Sequence, residues 1–143
     1  MSNSRFSFDH IHITSQDPKA AASWYREMFG ADITREYELR GAPQIHVELG
    51  GATLLIRGKR PGETPAGRRG IQHFENFSSH NTWGTDHFGF TYQGDLAVFC
   101  EEIRNKGAKF AIEPWEFSPG TLLCYIAGPD GVSIELIQRK NEP

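Results

Sequence analysis

The sequence predicts an α+β fold made of two tandem βαβββ modules. The first observation is an internal repeat, because Asp9-His10-Ile11-His12-Ile13-Thr14 and Asp86-His87-Phe88-Gly89-Phe90-Thr91 share the pattern Asp-His-x-x-apolar-Thr. The second is its spacing, since the same offset of 77 residues places Gly30-Ala31 onto Gly107-Ala108. The third is that each copy has the pattern of a strand, a helix ended by glycine and three further strands.

The first copy carries clear start and stop signals. Residues Phe8 to Thr14 alternate and include β-branched side chains, which predicts a strand. Asp17 is a good N-cap and Pro18 a good first helical residue, so a helix is predicted from there to Gly30. Gly50-Gly51 has the composition of a hairpin turn. The three strands after the helix are expected near Asp32–Leu39, Gln44–Leu49 and Ala52–Arg57.

The second copy has the same order of elements. Thr85–Tyr92 is the predicted first strand, and Asp95 is the predicted N-cap of a helix that ends before Gly107. The segment Gly128-Pro129-Asp130-Gly131 predicts a turn between the last two strands. The three strands after the helix are expected near Lys109–Glu113, Leu122–Ala127 and Val132–Ile137.

The stretch between the copies, residues 58–72, is rich in Gly, Pro, Lys and Arg. This composition predicts an exposed linker. We therefore expect a single domain over residues 1–143, with module one at about 6–57 and module two at about 73–139.

Composition limits the classes of function. The chain has 143 residues, with 15 Lys and Arg against 18 Asp and Glu and a formal charge of −3, so the basic surface typical of a nucleic-acid binder is absent. No apolar run is long enough to cross a bilayer, and the polar N-terminus lacks a signal-peptide pattern. Cys100 and Cys124 fall within predicted regular structure, which favours reduced thiols and a cytoplasmic location.

The repeat resembles the vicinal oxygen chelate superfamily, which includes glyoxalase I, extradiol dioxygenases, fosfomycin-resistance enzymes and bleomycin-binding proteins. The resemblance covers roughly residues 6 to 139, and its most specific parts are the paired Asp-His strand starts and the segment from Gly128 to Leu136. It implies a cup of eight strands with the site inside. It also implies a small-molecule substrate and a homodimer, with the modules closing one cup within a chain or exchanged between two chains.

Three residues are the candidate metal ligands, namely His10, His87 and Glu135. Glu135 lies on the predicted final strand between Ile134 and Leu136, so strand alternation turns its carboxylate away from these apolar neighbours. A carboxylate inside the cup is costly unless it is paired or bound to a cation. The resemblance places metal ligands at these three positions.

The resemblance also implies a fourth ligand, which glyoxalase I takes from the last strand of its first module. Aligning Gly51 with Gly131 places Leu55 there, and leucine cannot bind a metal. Glu48, on the neighbouring strand, could replace it only through a change of register. Two histidines and one carboxylate leave three positions open on an octahedral metal, which suits non-haem Fe(II). We expect Fe(II), with Mn(II), Ni(II) and Zn(II) as alternatives.

Two catalytic candidates come from the resemblance to extradiol enzymes. His73, which lies 14 residues before His87, is the candidate acid–base residue, with His80 as a rival. Tyr125, ten residues before Glu135, is the candidate partner of a substrate hydroxyl.

Substrate contacts are expected from His12, which shares a strand face with His10, and from Trp83 and Trp115. His46 has no argued partner. If several aromatic side chains near the linker and the edge of module two face the cup, they favour a flat or hydrophobic ligand. These are Phe74, Phe77, Trp83, Trp115 and Phe117. The basic run from Arg57 to Arg60 is expected to be a solvated loop, with attraction of an anionic substrate as the alternative.

The leading functional hypothesis is an Fe(II)-dependent dioxygenase of extradiol type that cleaves a catechol-like ring. A metal-dependent glyoxalase-like isomerase, lyase or thiol transferase is the first alternative, although Leu55 removes the carboxylate base that glyoxalase chemistry uses. A non-enzymatic protein that sequesters a small molecule is the second alternative.

Overall fold

The computed structural model describes residues 5–67 and 83–140. The chain divides between Ala66 and Gly67 into two compact units, which we describe one at a time. Each unit contains one helix and four strands in the order βαβββ. The α+β fold with two βαβββ modules is therefore confirmed.

The first unit follows the predicted element order closely. In its sheet the strand order is β1-β4-β3-β2, with β1 parallel to β4 and the other neighbours antiparallel. Gly50 and Gly51 form the turn before the last strand with φ angles of 58° and 82°, a left-handed geometry that glycine adopts at little cost. The elements are β1 (Ile11–Thr14), α1 (Pro18–Phe29), β2 (Asp32–Leu39), β3 (Ala42–Leu49) and β4 (Ala52–Arg57).

The second unit repeats this topology. Its strand order is β5-β8-β7-β6, again with the first and last strands parallel and the others antiparallel. A short 3-10 turn, Pro129–Gly131, leads into the last strand. The elements are β5 (Phe88–Thr91), α2 (Leu96–Asn105), β6 (Lys109–Ser118), β7 (Thr121–Ala127) and β8 (Ser133–Arg139).

Three strands differ by three residues or more from their predicted bounds, and one of them is β5, which begins at Phe88 rather than Thr85. The first strand begins at Ile11 rather than Phe8, because among the described residues β1 pairs with β4 and this pairing starts at Ile11 and Leu54.

Strand β6 continues past Pro114 to Ser118. Pro114 lies in the register shift between Ile112 and Trp115, on a strand at the edge of the described sheet, and a residue without an N–H is tolerated in such a place.

Both helices begin where the sequence predicts. The Asp17 carboxylate accepts a hydrogen bond from the Ala20 N–H at 3.1 Å, and the Asp95 carboxylate accepts one from the Val98 N–H at 3.2 Å. These bonds satisfy backbone donors that the first helical turn leaves unpaired. The predicted N-caps are therefore confirmed.

Each helix packs on one face of its own sheet and leaves the opposite face, which we call the helix-free face, to other side chains. In the second unit Cys100 of α2 lies against Cys124 of β7 with 3.7 Å between the sulfur atoms, and both thiols are free and buried. The buried apolar residues of α1 and its sheet include Ala22, Tyr25, Ile13, Val47, Leu54 and Ile56. Those of α2 and its sheet include Leu96, Ile103, Ile126, Ile134 and Leu136.

Within residues 5–67 and 83–140, no helix is long and apolar enough to cross a membrane.

Candidate active site

His87 lies directly before β5 and is held between two carboxylates. Its Nδ1 atom is 2.6 Å from Oδ2 of Asp86, and its Nε2 atom is 3.1 Å from Oε2 of Glu135. The hydrogen bond that His87 donates to the Glu135 carboxylate raises the pKa of His87, with a smaller contribution from Asp86 and against the effect of burial. Asp86 therefore fixes the ring so that Nε2 points toward the Glu135 carboxylate.

Glu135 lies at the middle of β8 on the helix-free face. Its cross-strand neighbours are Gly89 on β5 and Tyr125 on β7. A Cβ atom added to Gly89 would lie 3.1 Å from both the Cβ and the carbonyl oxygen of Glu135, and 3.4 Å from Oε2. Glycine at position 89 therefore leaves the space that the Glu135 side chain occupies.

Tyr125 completes this group of residues. Its ring meets that of His87 edge to face, with centroids 4.9 Å apart. Burial, followed by the charges of Glu135 and Asp86, raises the pKa of Tyr125 to about 12. The phenol therefore stays protonated at neutral pH and remains able to donate a hydrogen bond.

Apolar side chains adjoin Tyr125 on its own unit. Ile112, Leu123 and Tyr125 form a buried cluster, against which Ala111 and Ile137 pack. The helix-free face of the second unit thus places two carboxylates, an imidazole and a phenol beside a buried apolar cluster. This combination is typical of sites for small organic ligands.

The first unit repeats the Asp-His pair in a more exposed setting. The Nδ1 atom of His10 is 2.6 Å from Oδ2 of Asp9, and 40% of the His10 side chain is exposed. The His10 and His12 rings are 6.4 Å apart. Burial lowers the pKa of His12, and the nearby charges of Arg57 and His10 lower it further.

In each sheet, three residues are cross-strand neighbours on the first, last and third strands of the module, and this row of residues shows how the two modules differ. In the second unit Gly89, Glu135 and Tyr125 are neighbours across β5, β8 and β7. In the first unit, the same places on β1, β4 and β3 are taken by His12, Leu55 and His46. Leucine therefore stands where the second module has its carboxylate.

Glu48 does not move into this row. It is paired with Thr53, and the Thr53 hydroxyl donates to the Glu48 carboxylate oxygens at 2.8 and 2.9 Å. The β3–β4 register instead places His46 opposite Leu55. The change of register that would make Glu48 a substitute for a carboxylate at position 55 is not found.

His46 has a partner that the sequence did not reveal. Its Nε2 atom is 2.9 Å from the Tyr37 hydroxyl on β2, and the Arg35 guanidinium carbon lies 4.5 Å from the centre of the Tyr37 ring. The alternation of Gln44, His46 and Glu48 with the apolar Ile45 and Val47 is the signal that places His46 on the helix-free face.

The remaining candidates fall in different places. His73 lies outside the described residues, as do His80, Phe74 and Phe77. Trp83 is fully exposed, and Trp115 on β6 is 38% exposed with its ring edge-on to Phe117 at 5.7 Å.

His87 and Glu135 have side chains of the kinds that bind divalent ions, and the two lie side by side. Two unlike donors approach within 3.1 Å, and Asp86 holds the far nitrogen of the imidazole as a carboxylate does behind many metal-bound histidines. Within the described residues of either unit, no three His, Cys, Asp or Glu side chains are grouped so that they could hold a metal ion. His87 and Glu135 belong to the second unit and His10 to the first.

Comparison with known proteins gives matches over nearly the whole chain. A model of the Glyoxalase/Bleomycin resistance protein/Dioxygenase superfamily matches residues 7–136. A probable lactoylglutathione lyase from Synechocystis sp. is 38% identical over 73 residues, which cover 45% of this chain and 55% of the relative. The chain thus spans about half the length of that curated relative.

Solved structures give the same fold. The crystal structure of a glyoxylase/bleomycin resistance protein/dioxygenase domain from Frankia sp. EAN1pec matches with a TM-score of 0.73 and 21% identity, over 98% of this chain and 96% of its own. A fosfomycin resistance protein from Listeria monocytogenes, complexed with Mn(II) and sulfate, matches with a TM-score of 0.62 and 14% identity, over 92% and 91%. At such identities the likeness shows the fold alone.

Proposed function

The chain belongs to the Glyoxalase/Bleomycin resistance protein/Dioxygenase superfamily, and we propose that it is a metal-dependent isomerase or lyase of the glyoxalase type. Its substrate class would be the thiohemiacetal of a 2-oxoaldehyde, and its product a 2-hydroxyacyl thioester. The name of the Synechocystis relative, a probable lactoylglutathione lyase, favours this reaction over ring cleavage.

Superfamily members bind small-molecule substrates, commonly with a divalent metal ion such as Mn, Zn, Ni or Fe, and often form dimers. We propose that His10, His87 and Glu135 hold such an ion in this protein, which would act as a homodimer. When bound, the ion would supply Lewis acidity that favours loss of a proton next to a carbonyl group.

The observation that carries the proposal is the contact of His87 with Glu135 beside Tyr125. Asp86 keeps Nδ1 of His87 engaged and so leaves Nε2 for the ion. The Tyr125 phenol, which stays protonated, would donate a hydrogen bond to a substrate oxygen. The apolar cluster around Leu123 would receive the carbon chain and exclude water.

A ring-cleaving Fe(II) dioxygenase is the second candidate. Leu55 favours it, because a leucine at this position leaves two histidines and one carboxylate as the whole ligand set, with positions for a catechol and dioxygen. In that reaction His73 would be the acid–base residue and Tyr125 the partner of a catechol hydroxyl. His12, Trp83 and Trp115 would contact an aromatic substrate.

One pair of assays separates the candidates. Protein purified without air and loaded in turn with Fe(II), Mn(II), Ni(II) or Zn(II) is given the thiohemiacetal of glutathione and a 2-oxoaldehyde, and thioester formation is followed by absorbance. Oxygen uptake with a panel of catechols is measured in parallel. Thioester formation that a chelator abolishes supports the isomerase. Oxygen uptake without thioester formation would favour the dioxygenase. If the protein shows neither activity, a non-enzymatic binding protein becomes the better assignment.

A further inference from the structure

We propose that Arg57 and Arg60, at the end of β4 and in the loop after it, form a binding site for an oxyanion of a small molecule, namely a carboxylate or a phosphate group. The sequence predicted a solvated loop here, with attraction of an anionic substrate as the alternative. The solvated loop is wrong for Arg57, because this residue ends β4 and only 14% of its side chain is exposed. Binding of an oxyanion here does not depend on which reaction the protein catalyses.

The loop after β4 contains a tight turn that includes Arg60. The Glu63 N–H donates to the Arg60 carbonyl oxygen at 3.1 Å, and Pro61 and Gly62 occupy the two central positions. Gly62 has a φ of 86°, the left-handed conformation that suits glycine at the second central position of a type II turn. The turn therefore sets where Arg60 and Glu63 lie relative to each other.

The side chain of Glu63 shows that this place accepts a carboxylate. Its oxygen atoms accept a hydrogen bond from the Arg60 N–H at 2.6 Å and lie 3.1 Å from Nη2 of Arg57. The bond from the Arg60 backbone, followed by the charges of Arg57 and Arg60, lowers the pKa of Glu63 against the effect of desolvation. Two guanidinium groups thus share one carboxylate, which leaves one positive charge in excess among these three side chains.

Both arginines also carry a nitrogen donor that no protein group uses. Within residues 5–67 and 83–140, the buried side-chain nitrogen atoms without a hydrogen-bond partner are Nε of Arg57 and Nε of Arg60. A buried donor without an acceptor costs free energy, and the edge of a guanidinium offers parallel N–H groups to a carboxylate or phosphate. Glu63 contacts Arg57 at Nη2 and is itself 36% exposed. An incoming oxyanion would displace the Glu63 carboxylate and supply acceptors to the Nε groups as well.

Further hydrogen-bond donors adjoin Arg57 on the helix-free face of the first unit. Its cross-strand neighbours are Thr14 on β1 and Gln44 on β3, and Gln44 is only 4% exposed. Neither β1 nor β4 carries an Asp or Glu, so an anion meets no carboxylate on these two strands. A hydroxyl, an amide and a guanidinium are groups that donate to the oxygen atoms of a carboxylate or phosphate.

The extent of this basic group favours a small molecule over a polymer. Two guanidinium groups lie next to a single turn, and the chain as a whole has a formal charge of −3. A nucleic-acid backbone requires several cationic contacts along its length. One carboxylate or phosphate group requires only the contacts described here.

The test is a titration of full-length, metal-free protein with inorganic phosphate and, separately, with succinate. Ionic strength is held constant with chloride, folding is checked by circular dichroism, and binding is followed by NMR of the backbone amides. The proteins compared are the wild type, Arg57→Gln, Arg60→Gln, Glu63→Gln and the control Arg26→Gln. Arg26 is an exposed residue of α1, so the control removes the same charge from the same unit away from β4.

We expect saturable shifts of the Thr14 and Glu63 amides in the wild type with at least one of the two anions. Arg57→Gln should weaken the affinity by about 10-fold or more, and Arg60→Gln by several-fold. Glu63→Gln should strengthen it several-fold, because the amide still accepts from the Arg60 N–H but no longer competes as an anion. Arg26→Gln should stay within about twofold of the wild type. Saturation by phosphate alone would identify a phosphate group as the ligand, and saturation by succinate alone a carboxylate.

Three results would overturn the proposal. The first is no saturable shift in the wild type up to about 50 mM of either anion. The second is an affinity that remains at the wild-type value in folded Arg57→Gln and Arg60→Gln, which would place the binding elsewhere. The third is an affinity that is unchanged or weaker in Glu63→Gln, since the ligand would then not exchange with the Glu63 carboxylate.

Discussion

The Nε2 atom of His87 lies 3.1 Å from Oε2 of Glu135, although the two residues are 48 positions apart in the chain. The parallel pairing of β5 with β8 brings them together, since β5 begins directly after His87 and Gly89 on β5 is paired with Glu135. The contact depends on the Glu135 carboxylate, the His87 imidazole and the neighbouring Gly89. Each of these residues can be substituted separately to test it.

Substitution of the neighbouring glycine tests how closely Glu135 is packed. Gly89→Ala places a Cβ atom 3.1 Å from two atoms of Glu135, so either the strand or the side chain must shift. We expect a loss of about 1 kcal/mol in the free energy of unfolding and a several-fold loss of divalent-metal affinity.

Gly67→Ala is the matched control, because an added Cβ there meets no atom of the described residues within 4 Å. Thermal unfolding and metal titration of both variants check the prediction. Equal metal affinity in Gly89→Ala and the wild type would show that the carboxylate is not confined by its neighbour.

Asp86 should act on the metal through His87. Asp86→Asn removes the charge that engages Nδ1 of the imidazole, so metal affinity should fall by about 10- to 100-fold while the fold is kept. The measurement is a calorimetric metal titration. Asp95→Asn serves as the control, because it removes the same charge at the N-cap of α2, where an amide oxygen still accepts from Val98. Affinity losses of the same size in both variants would argue against a role for Asp86 behind the imidazole.

The two cysteines should be unreactive in the native protein. Cys100 and Cys124 are 1% and 0% exposed, and the hydrogen bond to Cys100 together with burial raises the pKa of the Cys124 thiol. A chromogenic thiol reagent should therefore detect no fast-reacting thiol before unfolding and two afterwards. Cys124→Ala should show one thiol, again only after unfolding. Reaction of either thiol at the rate of a free cysteine in the folded chain would contradict the packing of α2 on β7.

Glu63 should give the first unit a pH-dependent stability. The Arg60 N–H donates to its carboxylate at 2.6 Å and Arg57 lies 3.1 Å away, and these groups lower the pKa of Glu63. Because the folded value lies below the unfolded one, the contribution is present above about pH 4.5 and is lost as the pH falls.

Melting temperatures of the wild type and Glu63→Gln should therefore differ slightly at pH 7 and converge near pH 3. Glu38→Gln on β2 is the control, since the Glu38 carboxylate makes no ion pair within residues 5–67. A difference between the wild type and Glu63→Gln that persists at pH 3 would show that the charge of Glu63 is not its cause.

Local signals in the sequence predicted most of the fold. The caps at Asp17 and Asp95 and the paired glycines at 50 and 51 are each decided by a few adjacent residues, and the structure confirms them. The predicted start of β1 was wrong because the observed start depends on where β1 can pair with β4, which is a non-local property.

In the candidate site too, local features could be predicted from the sequence and contacts between distant residues could not. Alternation along β8 indicated the face on which Glu135 lies, but the distance to His87 depends on the register of two strands far apart in sequence. The bond between Tyr37 and His46 was missed because neither residue belongs to a recognisable motif, and only the pairing of β2 with β3 brings them together.

We propose that Glu135 holds a divalent ion together with His10 and His87, and metal analysis of Glu135→Ala is the sharpest test of this site. The wild type, Glu135→Ala and the control Glu48→Ala are prepared identically without air, checked for folding by circular dichroism and assayed for bound metal. We predict near-stoichiometric metal in the wild type and Glu48→Ala, and almost none in a folded Glu135→Ala. A folded Glu135→Ala with the metal content of the wild type would show that Glu135 is not a metal ligand.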